Sequence, residues 1–216
     1  MRNSSGQENY LAELYGQSHS GLYQIQEQMN QDGVGGMSLS FGEARILQFL
    51  IQTHNVKTVV EIGSLYGSSA LAMGMALPKD GKIYCFEKSE DRARKIESHL
   101  KEHLTCKFEV HSGPADEALK KIENQGPFDM VFIDADKGGY FSYLQWAEAH
   151  TQKGSVIVGD NTFLFGALWG ESKNSNVGAK QIDSMKKFNE RLVDESLYHS
   201  LLVPTPEGMT VGIRKV

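Results

Sequence analysis

The chain has 216 residues, of which 40% are hydrophobic and 23% charged, and its formal net charge is -5 at pH 7. This length and this mixture predict one folded α/β domain with a sizeable core, and they exclude a disordered chain. The negative net charge excludes a general electrostatic attraction to nucleic acid, although a local basic patch remains compatible with it. The two cysteines, Cys85 and Cys106, have no CxxC spacing, so we expect buried thiols in a reducing compartment.

The N-terminal segment and the apolar runs bear on localisation. Residues 1–17 are polar and lack the apolar region of a signal peptide. No run approaches the roughly 18 apolar residues that a membrane span needs. We therefore expect a cytoplasmic protein with no membrane segment.

The predicted elements begin with a helix over 7–30, whose apolar residues recur at helical spacing, and three glycines end it. Ser40 and Glu43 form a capping-box pattern at the start of a second helix. From residue 56 onward, strands alternate with helices. Strands are predicted over 57–62, 82–87, 106–112, 129–134 and 155–160, with helices in the intervals, including 90–103 and 115–122.

The last part of the chain differs in pattern. A polar, glycine-rich loop is predicted over 161–176 and a helix at about 178–192. Two strand-like runs, 199–204 and 209–215, are joined by a short link that favours an antiparallel hairpin. We therefore predict a doubly wound, seven-stranded, mostly parallel sheet with an antiparallel C-terminal hairpin and helices on both faces. A single domain would consist of an N-terminal helical extension, 1–36, and a core, 37–216.

Two apolar runs end in polar side chains, in DMVFIDADKGGY (129–140) and VIVGDNTF (156–163). Ligands of open α/β sheets lie beyond the carboxyl ends of parallel strands. Asp134, Asp160 and Asn161 therefore present hard oxygen donors at that edge, which suit Mg²⁺ or Ca²⁺, and Lys137 is a nearby base. The pattern suggests a metal-assisted reaction of a hydroxyl-bearing substrate.

Each of these residues also has a purely structural interpretation. Asp134 would cap a helix, Lys137 would be a surface lysine, and the Asp160-Asn161 pair would form a turn. We expect Asp136 to face solvent and Tyr140 to serve in packing.

The segment VVEIGSLYGSS (59–69) has the pattern of a strand, a glycine-containing turn and the start of a helix. Gly63 and Gly67 permit a tight turn, but Leu65 stands where a GxGxxG phosphate loop has its middle glycine. Glu61 would repel a pyrophosphate and suit a cationic ligand, while Glu87 ends the next strand, where an acid can bind ribose hydroxyls. These residues predict a nucleoside without phosphate that carries a positive group, such as S-adenosylmethionine (SAM). The structural alternative is a helix–strand turn beside a solvated strand end.

From about Met37 to Lys215 the chain resembles the class I SAM-dependent O-methyltransferases of the caffeoyl-CoA and catechol type, especially bacterial members. The motifs are VVEIGSLYGSS, the acidic end of KIYCFE, HSGPADEAL, FIDADKGGY, GDNTFLFG, KKFNERL and LLVPTPEGMTVGIRK. The resemblance implies a Rossmann-like methyltransferase fold. It also implies these cofactor contacts: the methionine portion at Glu61, Gly63 and Ser69 and at the backbone of Leu39, ribose at Glu87, adenine at the backbone of Ala115, and further contacts at Gly67 and Asp134.

The same resemblance implies the chemistry. Asp134, Asp160 and Asn161 match divalent-metal ligands, with Mg²⁺ expected and Ca²⁺ or Mn²⁺ as alternatives. A cation of this kind accepts about six oxygens, which leaves room for two from a vicinal diol and one water. It would acidify the substrate hydroxyl and favour neutral Lys137, which can then accept the proton. The expected function is methyl transfer to a hydroxyl of a catechol-like small aromatic molecule.

The acceptor and the assembly are less defined by these motifs. Leu164 stands where plant members carry a tryptophan, and Phe163, Phe165 and Trp169 would rebuild an aromatic wall. Family members are generally homodimers, and the N-terminal helix has little to pack against in a nucleotide fold. We therefore expect a homodimer in which this helix covers the active site or the interface.

Two rival functions remain open at this point. One is methylation of hydroxylated uridine in tRNA, for which Lys173, Lys180, Lys186 and Lys187 would supply local positive charge. The other is a non-catalytic nucleotide-binding or assembly protein on the same fold. Glu61 and the missing middle glycine disfavour a nicotinamide dehydrogenase.

Overall fold

The apolar runs of the sequence form the strands of one mixed sheet in the computed structural model, which describes residues 6–15, 20–172 and 176–216. The strands are β1 (Thr58–Ile62), β2 (Lys82–Glu87), β3 (Lys107–Ser112), β4 (Phe128–Ile133), β5 (Thr151–Asp160), β6 (Tyr198–Val203) and β7 (Met209–Arg214). Their order in the sheet is β3-β2-β1-β4-β5-β7-β6. The predicted fold class is confirmed, because β4 lies parallel to β1 and β5, whereas β7 is antiparallel to β5 and β6.

Helices occupy the intervals, largely as predicted. They are α1 (Gly6–Tyr15), α2 (Ser20–Gln31), α3 (Phe41–Thr53), α4 (Ser68–Ala76), α5 (Glu90–His103), α6 (Ala115–Ala118), α7 (Tyr140–His150) and α8 (Ala179–Leu192). Short 3-10 segments lie at Gly35–Met37, Leu119–Gln125, Lys137–Gly139 and Leu164–Trp169. Within the described ranges, none of the helices combines the length and the apolar character that crossing a membrane requires.

Three predicted elements differ from the structure by more than one residue at a boundary. The predicted helix 115–122 is α-helical only over Ala115–Ala118 and tightens to 3-10 geometry afterwards. Strand β5 begins at Thr151, which pairs with Phe128 of β4, and the regular pairing resumes at Val156 opposite Met130. Gln152, Lys153 and Gly154 lie in the irregular stretch between these pairs and are exposed, so no apolar pattern marks them. The predicted helix 7–30 corresponds to α1 and α2, and residues 16–19 lie outside the described part.

The chain divides into two compact units. The first consists of Met1–Lys57 and Ser64–Gly113, and the second of Thr58–Gly63 and Pro114–Val216. The division into a helical extension and a core therefore stays a prediction.

In the first unit, the expectation that the N-terminal helix has little to pack against is wrong for α2. Leu22, Ile25 and Met29 on one face of α2 are buried, with at most 6% of each side chain exposed. In α1, Tyr10 and Leu14 remain exposed. The predicted capping box of α3 is confirmed, since Ser40 Oγ accepts from the Glu43 amide and the Glu43 carboxylate accepts from the Ser40 amide.

The second unit is built around β4 and β5. Met130–Ile133 of β4 and Val156–Val158 of β5 are fully buried, as a strand covered on both faces requires. The two strands pair in parallel, with Ile133 opposite Gly159. Their carboxyl ends therefore finish at the same edge of the sheet.

Candidate active site

The carboxyl ends of β4 and β5 bring the predicted metal ligands together. Because Ile133 pairs with Gly159 in parallel register, the next residue of each strand, Asp134 and Asp160, occupies equivalent positions. Asn161 follows Asp160, and both are buried, at 6% and 1% exposure respectively. With Lys137 and Tyr140, these residues form what we term the strand-end centre.

Lys137 is not a surface lysine, since only 15% of its side chain is exposed. It begins the 3-10 turn Lys137–Gly139, which directs its amine back toward the strand end. Its Nζ donates to Asp134 Oδ1 at 2.9 Å and to the Tyr140 hydroxyl at 2.6 Å, and lies 3.5 Å from the Asp160 carbonyl oxygen. The amine is thus fixed beside the predicted ligands.

Tyr140 does more than the packing expected of it. Its ring is fully buried and meets Phe188 edge-on, with centroids 5.3 Å apart. Its hydroxyl also lies 2.7 Å from the Asp160 carbonyl oxygen, to which it donates, while it accepts from Lys137. Burial, followed by the Asp134 charge, raises the pKa of Tyr140 well above its usual value, so the hydroxyl stays protonated. In the sequence, the only sign of this contact between Lys137 and Tyr140 is their spacing of three residues, which places side chains of a helix side by side.

The donor set fits a hard divalent cation. Two carboxylates and one amide oxygen are the groups that Mg²⁺, Mn²⁺ and Ca²⁺ accept. Among the described residues no group of three or more His, Cys, Asp and Glu side chains could hold a metal ion. The predicted donor set has only two carboxylates, and its third member is the amide of Asn161. Asn161 Nδ2 lies 3.2 Å from Asp160 Oδ2, and rotating the amide would present its oxygen instead.

The Asp160-Asn161 pair forms a turn, as the structural alternative predicts. This turn also sets the directions of the two side chains that are predicted to bind the metal. Asn161 has a φ of 54°, a left-handed conformation that asparagine tolerates. The chain is then tied to the hairpin, where the Thr162 and Phe163 amides donate to the carbonyls of Gly208 and Glu207 at 3.0 and 2.9 Å.

The segment after this turn contains the predicted aromatic wall. Leu164 is completely buried, so it belongs to the core and cannot line an acceptor surface. Phe163 and Trp169 meet edge-on with centroids 5.5 Å apart, and Trp169 donates to Glu171 at 2.7 Å. Phe165 and Trp169 are 37% and 53% exposed, and the wall stays a prediction.

In the first unit, residues 64–67 form what we term the cofactor turn. Leu65, which stands at the place of the middle glycine, and Gly67 both have left-handed backbones, with φ of 49° and 85°. The Leu65 and Ser89 amides each donate to the Glu87 carboxylate at 3.0 Å. Glu87 is 7% exposed, so it is not a solvated strand end.

The other first-unit residues predicted to bind the cofactor, Leu39 and Ser69, lie just before or within the first turn of a helix. Ser69 is buried in the first turn of α4, after Gly67 as the N-cap. Leu39 is half-buried, and its carbonyl accepts from Ser38 Oγ at 3.4 Å. Ser38 Oγ also lies 3.2 Å from Ser68 Oγ.

Besides Asp134, three predicted cofactor residues lie in the second unit. Glu61 is fully buried near the end of β1, and a buried carboxylate favours a cationic group nearby. Gly63 has a φ of 97°, and a Cβ there would lie 2.2 Å from the Asp134 carbonyl oxygen, so only glycine fits. Ala115 is half-buried at the start of α6. These features fit a sulfonium-bearing nucleoside.

Asp136 is exposed, as expected. The imidazoles of His111 and His150 stack on Phe86 and Trp146. Cys85 and Cys106 are buried and form no disulfide. Lys173, one of the four lysines considered for tRNA, lies outside the described residues.

A family model described as O-methyltransferase matches residues 12–215. A catechol O-methyltransferase of Niastella koreensis is 30% identical over 213 residues, covering 96% of each chain. A caffeoyl-CoA O-methyltransferase of Medicago sativa is 27% identical over 92% of this chain and 83% of that protein. These relatives give the tRNA alternative no support.

Solved structures agree with this assignment. The O-methyltransferase from Bacillus cereus in complex with SAH matches with a TM-score of 0.87 and 25% identity over 98% of each chain. TomG from Streptomyces achromogenes in complex with SAM matches with a TM-score of 0.86 over 98% of this chain and 97% of that one; its 24% identity supports the fold alone. The non-catalytic alternative is set aside, because the chain belongs to the O-methyltransferase family, in its class I SAM-dependent group of the catechol and caffeoyl-CoA type.

Proposed function

We propose that this O-methyltransferase requires a divalent cation and methylates one hydroxyl of a vicinal diol on a small aromatic molecule. The observation that carries the proposal is the position of Lys137 Nζ, 2.9 Å from Asp134 Oδ1 at the strand end where Asp160 also emerges. Lys137 is a base fixed beside two carboxylates and an amide. This arrangement suits a vicinal diol, because one hydroxyl would lose its proton to Lys137 while a cation on these ligands would hold the neighbouring oxygen.

Asp134, Asp160 and Asn161 would hold the cation. When bound, a divalent cation lowers the pKa of a coordinated hydroxyl and fixes the oxygen for attack. A phenol needs this help because its unperturbed pKa is about 10, as for tyrosine. Lys137 is the residue placed to take the proton, and the Tyr140 hydroxyl and Asp134 fix the direction of its amine. Mg²⁺ is the proposed cation, with Mn²⁺ or Ca²⁺ as alternatives.

On the donor side, the methionine portion of SAM would be bound by Glu61, Gly63, Ser69 and the backbone of Leu39, and Gly67 would be a further cofactor contact. Glu87 would bind the ribose hydroxyls, since both of its oxygens are already oriented by backbone amides and retain lone pairs. The Ala115 backbone would contact adenine. Holding both reactants in attack geometry supplies much of the acceleration.

Methyl transfer from labelled SAM to two isomers tests the acceptor class. The proposal predicts transfer to 1,2-dihydroxybenzene with Mg²⁺, loss of transfer in EDTA, and recovery when excess Mg²⁺ is added. The 1,3 isomer is the matched control, because it has the same hydroxyl groups but cannot place both on one cation. Equal rates for the two isomers, or activity that EDTA leaves intact, would refute the proposal.

We also infer that the enzyme is a cytoplasmic homodimer. The exposed Tyr10 and Leu14 of α1 offer an apolar surface for a second copy. Light scattering at micromolar concentration should give twice the 24.0 kDa mass of the chain. A monomer mass would refute the inference.

A further inference from the structure

The cofactor turn is held by contacts from α2 that the sequence motifs do not include. Asp32 follows the last residue of α2, and its Oδ2 accepts from the Tyr66 hydroxyl at 2.6 Å and from Lys95 Nζ at 2.7 Å. Tyr66 is only 4% exposed and lies in the middle of the turn. A hydroxyl-to-carboxylate bond of this length is a strong, charge-assisted one.

A second contact from the same face of α2 reaches the backbone of Tyr66. His99 Nδ1 lies 3.0 Å from the Tyr66 carbonyl oxygen, and His99 Nε2 lies 2.8 Å from Gln28 Oε1. Gln28 and Asp32 are four residues apart, so they lie on one side of the helix. We term Gln28, Asp32, Lys95 and His99 the Tyr66 anchor.

The position of Asp32 is unfavourable for the helix itself. A carboxylate at a helix C-terminus opposes the negative end of the helix dipole. The Lys95 ammonium lowers the pKa of Asp32, which keeps the carboxylate charged, and it also lies 4.8 Å from the Tyr66 ring centroid. The bonds of the Asp32 carboxylate to Tyr66 and Lys95 therefore account for an acidic residue at this end of the helix.

The other side of the turn connects to the predicted ribose ligand. Leu65 precedes Tyr66, and its amide donates to Glu87 Oε2 at 3.0 Å. Leu65 has a φ of 49°, a conformation that costs free energy for a residue with a branched side chain and persists only when its surroundings hold it. Because Tyr66 follows Leu65 directly, fixing Tyr66 limits the directions that the Leu65 amide can take. That amide holds the Glu87 carboxylate together with the Ser89 amide and with Arg92, which is 3.8 Å away.

We propose that Asp32 is a positioning residue for SAM binding: through Tyr66 it holds the cofactor turn in the conformation that presents Glu87 to the ribose. The inference rests on the proposed role of Glu87. It gives α2 a function in cofactor recognition, in place of the cover over the acceptor or the interface expected from the sequence.

Calorimetric titration of SAM into the whole enzyme tests this. Tyr66→Phe preserves shape and removes only the hydroxyl, and we expect it to weaken SAM binding about tenfold. Asp32→Ala should do the same, while Asp32→Asn, which keeps an acceptor, should weaken binding less. In steady-state assays the KM for SAM should rise more than kcat falls, which a general loss of folded enzyme would not produce.

A double-mutant cycle with Glu87→Gln shows whether the effect runs through Glu87. The Tyr66→Phe and Glu87→Gln effects should overlap, so that the double variant binds SAM at least about threefold better than independent effects predict. Asp80→Asn is the matched control, because Asp80 pairs with Lys57 at 3.0 Å in the same unit without touching the turn.

Three results would overturn the inference. One is SAM affinity of Tyr66→Phe within about twofold of the parent enzyme, and another is full independence of the two effects. The third is unchanged affinity in Glu87→Gln with weakened binding in Tyr66→Phe, which would show that the ribose assignment is wrong. In that case methyl transfer to a vicinal diol with Mg²⁺ would still stand, so the two failures are distinguishable.

Discussion

The strand-end centre and the cofactor turn are both polar sites that follow buried strands, yet they are ordered differently. In the strand-end centre the strand register places Asp134 and Asp160, and Lys137 then donates to the Asp134 carboxylate. In the cofactor turn the backbone is left-handed at Leu65 and Gly67, and α2 holds it through Tyr66. The first region is fixed by the sheet and the second by contacts from a distant part of the sequence.

The largest effect is expected from Asp160→Asn, which separates the two regions. Loss of one carboxylate should weaken binding of the proposed cation and lower kcat by at least ~100-fold, since a cation at this site would supply several kcal/mol of charge stabilisation. SAM affinity should change little, because the cofactor turn is held elsewhere. Initial rates and calorimetry on the same preparation measure both. Asp136→Asn, at an exposed carboxylate of the same motif, is the control. Joint loss of activity and SAM binding would mean that the site had collapsed.

Gly63→Ala should disturb the strand-end centre through its backbone. The added Cβ would lie 2.2 Å from the Asp134 carbonyl oxygen, and we expect the free energy of unfolding to fall by roughly 3 kcal/mol or more. Gly33→Ala has the same sign of φ, at 74°, but meets nothing within 4 Å, so it should cost only about 1–2 kcal/mol. Urea unfolding compares the two. Equal losses would show that the close approach carries no weight.

Tyr140→Phe tests whether the strand-end centre acts as a unit. Lys137 would lose an acceptor at 2.6 Å, and the Asp160 carbonyl would lose a donor, so kcat should fall roughly 10- to 100-fold. SAM affinity should be retained. Tyr143→Phe, at a half-buried tyrosine of the same helix, serves as the comparison. If Tyr140→Phe kept full kcat, the interpretation of Tyr140 as a packing residue would be correct.

The smallest effect is expected at the aromatic wall. Trp169→Ala removes an edge-on partner of Phe163 and should raise the KM for an aromatic acceptor roughly three- to tenfold, with little change in SAM affinity. Phe49→Ala removes an exposed aromatic side chain from α3 and provides the control. Unchanged kinetics on an accepted catechol would count against the wall.

The sequence predicts the strand-end centre better than the cofactor turn for a physical reason. Apolar runs that end in Asp134 and Asp160 specify buried strands, and parallel pairing then makes their ends meet. The sequence predicts only a packing role for Tyr140, because its spacing of three residues from Lys137 does not show where the hydroxyl points. In the Tyr66 anchor, Asp32 contacts Tyr66 across 34 positions of the sequence, and no local periodicity predicts such a contact. The apolar spacing in α2 predicts a helix, but it does not show which surface the helix packs against.

Binding of Mn²⁺, followed by electron paramagnetic resonance in the presence of SAM, tests the central claim most directly. The parent enzyme and Asp136→Asn should each bind one Mn²⁺ per chain at the strand-end centre, and Mg²⁺ should displace it. Asp160→Asn should bind Mn²⁺ much more weakly while retaining SAM. Identical Mn²⁺ binding by the parent and Asp160→Asn would contradict the assignment of these strand ends as the metal-dependent centre of methyl transfer.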